Sequence, residues 1–386
     1  MGRRTALTVA ATMLAMTTAA CGAVTSQGSP GTAPLPPPGL ATSLATTGGT
    51  WAVAVLGGPA ARHDNFWQLF VRPARSAAWR LVTPPGVASN GGLVLAGLPG
   101  RAGRSVIAGF RPSQDLGFSP LASSVDNGNS WRPAVLDGGL ADVPDALAAA
   151  PGSGRLLALL ASGKIVQAGP GAAGWSPLSS VHALAAAQAG RRCAPATAAA
   201  VAFLPSGDPL VAAACSRPGV TGIFSYAAGT WRPAGPVLPP PEAGRRVQVL
   251  RLTRTAAGEE ALLAAGSGRS AELLAGWSRD GTRWALSGPL RLGATAVRAS
   301  GFAAAGTAWV LLADGQADTI AARGAAWRQL PRPPAAAAAL AFGPAGSLDA
   351  LAAAGSRLTV WRLARGSAAW HQVQVLHVPV AYGSSG

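Results

Sequence analysis

The sequence predicts an all-β fold, a seven-bladed β-propeller of four-stranded antiparallel blades, from three observations. Tryptophan recurs in one setting at Trp79, Trp131, Trp175, Trp231, Trp284, Trp327 and Trp370, each time after a turn of small residues. The intervals of 52, 44, 56, 53, 43 and 43 residues each hold four short strands and their turns, for which a blade takes roughly 40–50 residues. Glycine and proline also interrupt the chain every few residues, so that no helical pattern survives for three turns, even in alanine-rich stretches such as 335–339.

Residues 1–21 read as a targeting segment. Arg3 and Arg4 form its charged start, Thr5 to Met16 an apolar run short for a bilayer span, and Thr18-Ala19-Ala20-Cys21 a small-residue cleavage site. That ending resembles a bacterial lipobox. The resemblance implies cleavage before Cys21, an acyl chain such as palmitate on the new terminus, and anchorage at the outer face of the cytoplasmic membrane. Residues 22–40, GAVTSQGSPGTAPLPPPGL, have no apolar periodicity and cannot build a core; they are expected to be a tether.

Residues 41–380 are assigned to the propeller and 381–386 to a tail. The unit ending at Trp370 predicts strands at 338–342, 348–352, 358–363 and 370–376, and the unit around Trp327 predicts them at 297–302, 309–313, 318–322 and 327–330. In each unit tryptophan opens the fourth strand. Inner strands of a blade are covered on both faces, so a polar–apolar alternation need not appear, and alanine and glycine let twisted sheets approach closely. Blade one is expected to open near 41–46, directly after the tether. Residues 371–380 either complete blade seven or run beyond it.

The turn before Trp131 reads Ser124-Val125-Asp126-Asn127-Gly128-Asn129-Ser130-Trp131, and a shortened version precedes Trp284, Ser278-Arg279-Asp280-Gly281-Thr282-Arg283-Trp284. Aspartate accepts backbone N–H groups inside such a hairpin, glycine takes the left-handed conformation, and tryptophan packs between sheets. The pattern Ser-x-Asp-x-Gly-x-x-Trp resembles the Asp-box, or BNR repeat, of sialidase-like propellers. The resemblance implies that Asp126, Gly128, Trp131, Asp280 and Trp284 build structural turns, on the face opposite a sialidase active site.

Besides Cys21 the chain has Cys193, before the first strand of blade four, and Cys215, at the end of its second strand. A disulfide between them would close a loop of about 20 residues and contribute on the order of 3 kcal/mol. His182, eleven residues upstream of Cys193, gives no metal-ligand spacing, so no metal or other cofactor is expected.

The chain has 31 basic and 15 acidic residues, and loss of Arg3 and Arg4 takes the formal charge from +16 to +14. Lys164 is the single lysine. Such a field favours anionic partners: an envelope protein, an anionic glycan or phospholipid headgroups. Nucleic acid is not expected, since no basic helix or aromatic–basic motif is present and the leader directs the chain out of the cell. In the strand plan, connections between blades and between second and third strands share one face. They carry Arg191, Arg192, Arg217, Arg245, Arg246, Arg269 and Arg357, a candidate anion-binding rim that Glu242, Glu259 and Glu260 are too few to neutralise.

Sialidase chemistry takes an arginine cluster, a tyrosine nucleophile with a partnering glutamate, and an acid/base aspartate. Tyr226 and Tyr382 are the two tyrosines, and neither holds a central position in the strand plan. The Arg-Ile-Pro motif of the family is absent, and His63, His182, His371 and His377 have no nucleophile turn beside them. The sequence therefore points to a non-catalytic envelope binding or scaffold lipoprotein, a monomer; the alternative is a degenerate or divergent sialidase-like glycan hydrolase.

Overall fold

A computed structural model describes residues 43–57, 65–85, 93–99, 103–110, 121–133, 144–172, 174–293, 295–324, 326–335, 337–343 and 346–378. The targeting segment with Cys21, the tether 22–40 and the tail 381–386 lie outside the described residues. Seven antiparallel sheets occupy residues 43–81, 93–133, 144–180, 195–233, 247–293, 297–329 and 337–377, and in each the four strands pair in sequence order. The first strands of neighbouring sheets meet one another round a ring, and the last meets the first, which makes the assembly a seven-bladed propeller. In blade five an added strand, Leu290–Gly293, pairs with the third strand, Ala271–Ser278.

The predicted strands fall within a few residues of the observed ones. Blade seven is built from Ala337–Phe342, Leu348–Ala354, Arg357–Leu363 and Trp370–His377, so the segment after Trp370 completes it. Blade one begins with Ser43–Thr46, and Trp79 immediately precedes its fourth strand, Arg80–Leu81. Second strands are covered on both faces. Every residue of Val106–Phe110, Leu156–Leu160 and Ala308–Leu312 is buried, which is why their sequences run apolar without alternation; Gly258–Ala265 is buried throughout as well, with Glu259 and Glu260 inside it.

The repeat tryptophans bond across the seams as well as packing there. The indole N–H of Trp131 donates to Val82 O at 2.9 Å, that of Trp284 to Ala234 O at 2.7 Å, that of Trp327 to Gly288 O at 3.1 Å and that of Trp370 to Pro331 O at 2.9 Å. Trp231 donates to Ser179 Oγ at 3.2 Å. In each case the acceptor lies three or four residues beyond the tryptophan of the preceding blade, so one rule ties blades two, four, five, six and seven each to the one before it.

The seam between blades seven and one departs from that rule. Trp79 Nε1 donates 2.8 Å to Asp349 Oδ2, and the same carboxylate takes Arg72 and, at 2.7 Å, Arg362 Nε. Arg72 and Asp349 are 2 % and 0 % exposed, so this is an ion pair out of water. The side chain of Gln374 in blade seven brackets the Trp79 backbone, accepting from its N–H and donating to its C=O, both at 2.8 Å.

Helices are few and short, and the sequence plan did not include them. The connection from blade three to blade four forms α1 (Val181–Ala186) and α2 (Gln188–Arg191), and that from blade four to blade five forms α3 (Pro240–Ala243). Ser180 caps α1 by accepting the Ala183 N–H at 3.0 Å. None of the three approaches the three-turn length at which periodicity becomes readable. Among the described residues no helix is long and apolar enough to cross a membrane.

Candidate functional site

The two Asp-box turns are closed hydrogen-bond systems. Asp126 Oδ1 accepts from Ser130 N at 3.0 Å and Oδ2 from Ser130 Oγ at 2.6 Å, while Ser124 Oγ accepts from Gly128 N at 2.8 Å. The bonds from Ser130 pull the Asp126 carboxyl down to about 2. Asp280 Oδ1 accepts from Thr282 N and Arg283 N, both at 2.9 Å, and these backbone groups, Arg283 first, hold it well below the usual carboxylate range. Gly128 has φ 76°, and a Cβ there would lie 2.7 Å from Val82 Cβ in the preceding blade, so glycine serves both the turn and the seam. With their oxygens committed to the turn, these carboxylates have structural work to do.

At the opposite ends of the strands lie the seven candidate arginines. Arg191 and Arg192 precede the first strand of blade four, Pro195–Phe203, and Arg217 follows its second, Pro209–Cys215. Arg245 and Arg246 precede Val247–Thr255 of blade five, and Arg269 follows Gly258–Ala265. Backbone bonds stitch these segments together: Arg217 N to Cys193 O at 3.3 Å, Gly219 N to Arg245 O at 2.8 Å and Gly266 N to Arg246 O at 2.8 Å. Six of the seven thus form one ridge over blades four and five. Arg357, in the turn that opens the third strand of blade seven, stands apart from it.

Clustering, more than number, distinguishes this ridge. The other ends of the strands carry arginines too, among them Arg80, Arg132, Arg232 and Arg328, but these follow the repeat tryptophans one to a blade. On the ridge Arg191, Arg192, Arg217, Arg246 and Arg269 are exposed. Arg245 is half-buried and bonds Glu272 Oε2 at 2.6 Å, and Arg291 lies 3.8 Å from Glu272 Oε1. The acid that tempers the ridge is therefore Glu272, which the sequence plan did not single out. Glu242, in α3, is 3 % exposed, while Glu259 and Glu260 are fully buried at the far end of blade five beside Arg254 and Thr255.

A disulfide joins Cys193 and Cys215, as their placement in the strand plan suggests, and it fixes the exit of α2 to the second strand of blade four. Between α1–α2 and the outer strand of that blade, Thr230–Pro233, lies an open cleft of about 560 Å³ lined in part by Arg192, Tyr226, Trp231 and Arg232. Sequence reasoning weighed Tyr226 only as a nucleophile and set it aside for want of a central position; its signal as a lining residue was its place five residues before a repeat tryptophan. It also passed over Arg298, which is exposed at a bulge in the first strand of blade six, Val297–Phe302, at the ridge end of the sheet. Among the described residues no three histidine, cysteine, aspartate or glutamate side chains are grouped to hold a metal ion.

No protein-family model matches this chain, and no curated protein matches it. Among solved structures it is similar to YCF48 from Cyanidioschyzon merolae, at 14% identity and a TM-score of 0.55 over 86% of this chain and 98% of the other. It is also similar to the GH74 xyloglucanase from Xanthomonas campestris, at 16% identity and a TM-score of 0.53 over 86% of this chain. That match covers 53% of the enzyme, so the chain spans about half its length. At these identities the likeness is one of fold, the seven-bladed propeller. The Asp-box resemblance rests on the turns at Asp126 and Asp280.

Proposed function

We propose that this chain is a cell-envelope binding or scaffold lipoprotein, held by a lipid on Cys21 at the outer face of the cytoplasmic membrane, that takes an anionic partner on the ridge of blades four and five. The observation that carries this reading is the convergence of Arg191, Arg192, Arg217, Arg245, Arg246 and Arg269 on one backbone-stitched surface with Glu272 as its near counter-charge. Guanidinium groups held side by side attract carboxylates, phosphates or sulfates at a distance and pair with them bidentately on contact.

Hydrolysis is the weaker reading. Glycoside hydrolysis uses two carboxyl groups flanking a bond that must reach them. Glu259 and Glu260 are neighbours in one strand, so they project from opposite faces of the sheet, and both are fully buried. The carboxylates of the Asp-box turns are occupied by their own hairpins.

The test compares two triple variants that remove the same formal charge. Arg217, Arg246 and Arg269 are changed to alanine in one, and Arg132, Arg328 and Arg365 in the other. Arg245 is left in place because it holds Glu272. The ridge variant is expected to elute from immobilised heparin at clearly lower salt than the other, with the gap closing as ionic strength rises. Equal elution would leave a general charge effect and remove the ridge. Separately, Cys21→Ala is expected to abolish acyl labelling and move the protein out of the membrane fraction; unchanged partition would overturn the anchor.

A further inference from the structure

The cleft beside α1–α2 has a chemistry that neither the ridge nor the Asp-box turns use. Its floor is the ring pair Tyr226 and Trp231, with centroids 4.8 Å apart and planes inclined at 55°. Trp231 is pinned by its bond to Ser179 Oγ, and Tyr226 stays half-exposed above it. The facing wall presents the methyl groups of Ala183, Ala187 and Ala189, and Arg192 and Arg232 add two exposed cations to the lining. No carboxylate lines it.

The wall is preorganised. Leu184 of α1 is fully buried in the core shared with blade four, and the disulfide follows directly after Arg192. Gly190 lets α2 fold back on α1, since a Cβ at that position would overlap Leu184 O. Little ordering remains to be done when a ligand enters, which favours affinity.

The lining also selects a class of partner. Tyrosine, tryptophan and arginine dominate protein–protein hot spots, whereas lysine, glutamate and aspartate are depleted there, and the cleft has all of the first group and none of the second. Ser179, Gln188 and Thr230 add polar groups to the lining, but the methyl groups of Ala183, Ala187 and Ala189 leave a sugar's hydroxyl groups on that side without partners. An aliphatic side chain suits that wall, and carboxylates beside it suit the two guanidinium groups. Strand addition is disfavoured, because α2 packs against the outer strand of the blade.

We infer that this cleft docks a short acidic segment of another protein, with an aliphatic side chain seated between the alanine wall and Tyr226 and flanking carboxylates paired to Arg192 and Arg232. The inference deepens the reading of the chain as a binding module, but Tyr226 and Arg232 lie off the ridge, so the two fail separately.

The probe is a fluorescein-labelled peptide, Gly-Glu-Glu-Leu-Glu-Glu-Gly, titrated against the full chain at about 0.15 M salt so that distant charges are screened. Saturable binding is expected, weakened roughly tenfold or more by Tyr226→Ala and by the Arg192→Ala/Arg232→Ala pair. Tyr226→Phe is expected to keep most of it, which separates loss of the ring from loss of the fold. Replacing the peptide leucine by alanine, or its glutamates by glutamine, is expected to cost as much. The ridge variant of Arg217, Arg246 and Arg269 is expected to change it little, whatever that variant does on heparin. Absence of saturable binding, equal binding of the glutamine peptide, or equal loss in the ridge variant would each overturn the inference. Displacement of the peptide by polygalacturonate at matched carboxylate concentration would overturn it in favour of an anionic glycan.

Discussion

Glu260, the third residue of the second strand of blade five, has no solvent exposure; Thr255 Oγ1 donates to its Oε1 at 2.9 Å, and its Oε2 has no partner among the described residues. Burial pushes its carboxyl up to about 8. A raised carboxyl binds its proton more tightly folded than unfolded. Its contribution is therefore full below the ordinary value of 4.5 and is lost as pH rises through about 8. Glu260→Gln is expected to leave stability near pH 4 almost unchanged and to raise it by about 1–3 kcal/mol at pH 9, read from urea unfolding at both values. A loss at pH 9 in place of the gain would show that the glutamate is held for its charge. At this scale the sequence was half legible. Strand order settles at which end of a sheet an arginine sits, so the ridge could be read. The pairing of Arg245 with Glu272 could not, because it depends on how the turn between the second and third strands of blade five lies against Arg245, which also donates to Ser270 O at 3.2 Å.

Among elements, the fourth-strand turns were the most legible, because each combines a local hydrogen-bond device with a tryptophan. The plan recognised the aspartate versions and passed over a serine one. Ser76-Ala77-Ala78-Trp79 and Ser367-Ala368-Ala369-Trp370 use a hydroxyl instead, with Ser76 Oγ accepting from Ala78 N at 3.0 Å and Ser367 Oγ from Ala369 N at 3.2 Å. The helix pair α1–α2 was illegible for a different reason: six and four residues give no period, and it is held by packing of Leu184 and by a covalent link. That link predicts its own test. The Cys193→Ala/Cys215→Ala variant is expected to lose about 3 kcal/mol, and dithiothreitol is expected to lower the Tm of the parent towards that of the variant without moving the variant. A parent insensitive to reductant at its midpoint would contradict it.

For the whole molecule the decisive contact lies between Arg72 and Asp349, 277 residues apart. Nothing local marks Asp349, which stands in the strand Leu348–Ala354 among leucine and alanine. The tryptophan rhythm therefore gave the number of blades without revealing how the last meets the first. Asp349→Ala leaves Arg72 buried without its counter-charge and is expected to cost about 3–5 kcal/mol, whereas Arg72→Met/Asp349→Leu, which removes both charges, is expected to cost much less. Thermal unfolding of the two variants measures the difference; equal losses would mean that packing, and not the charge pair, closes the ring.

That seam also has a consequence for how the chain could be rewired. Each sheet is supplied by one stretch of sequence, and among the described residues no strand is lent across the closing seam. A circular permutant that joins blade seven to blade one and opens the chain between two other blades would break no sheet. The ionic clasp would then sit inside an uninterrupted polypeptide, and comparing its strength there with that in the parent would separate the charge pair from the covalent path of the chain.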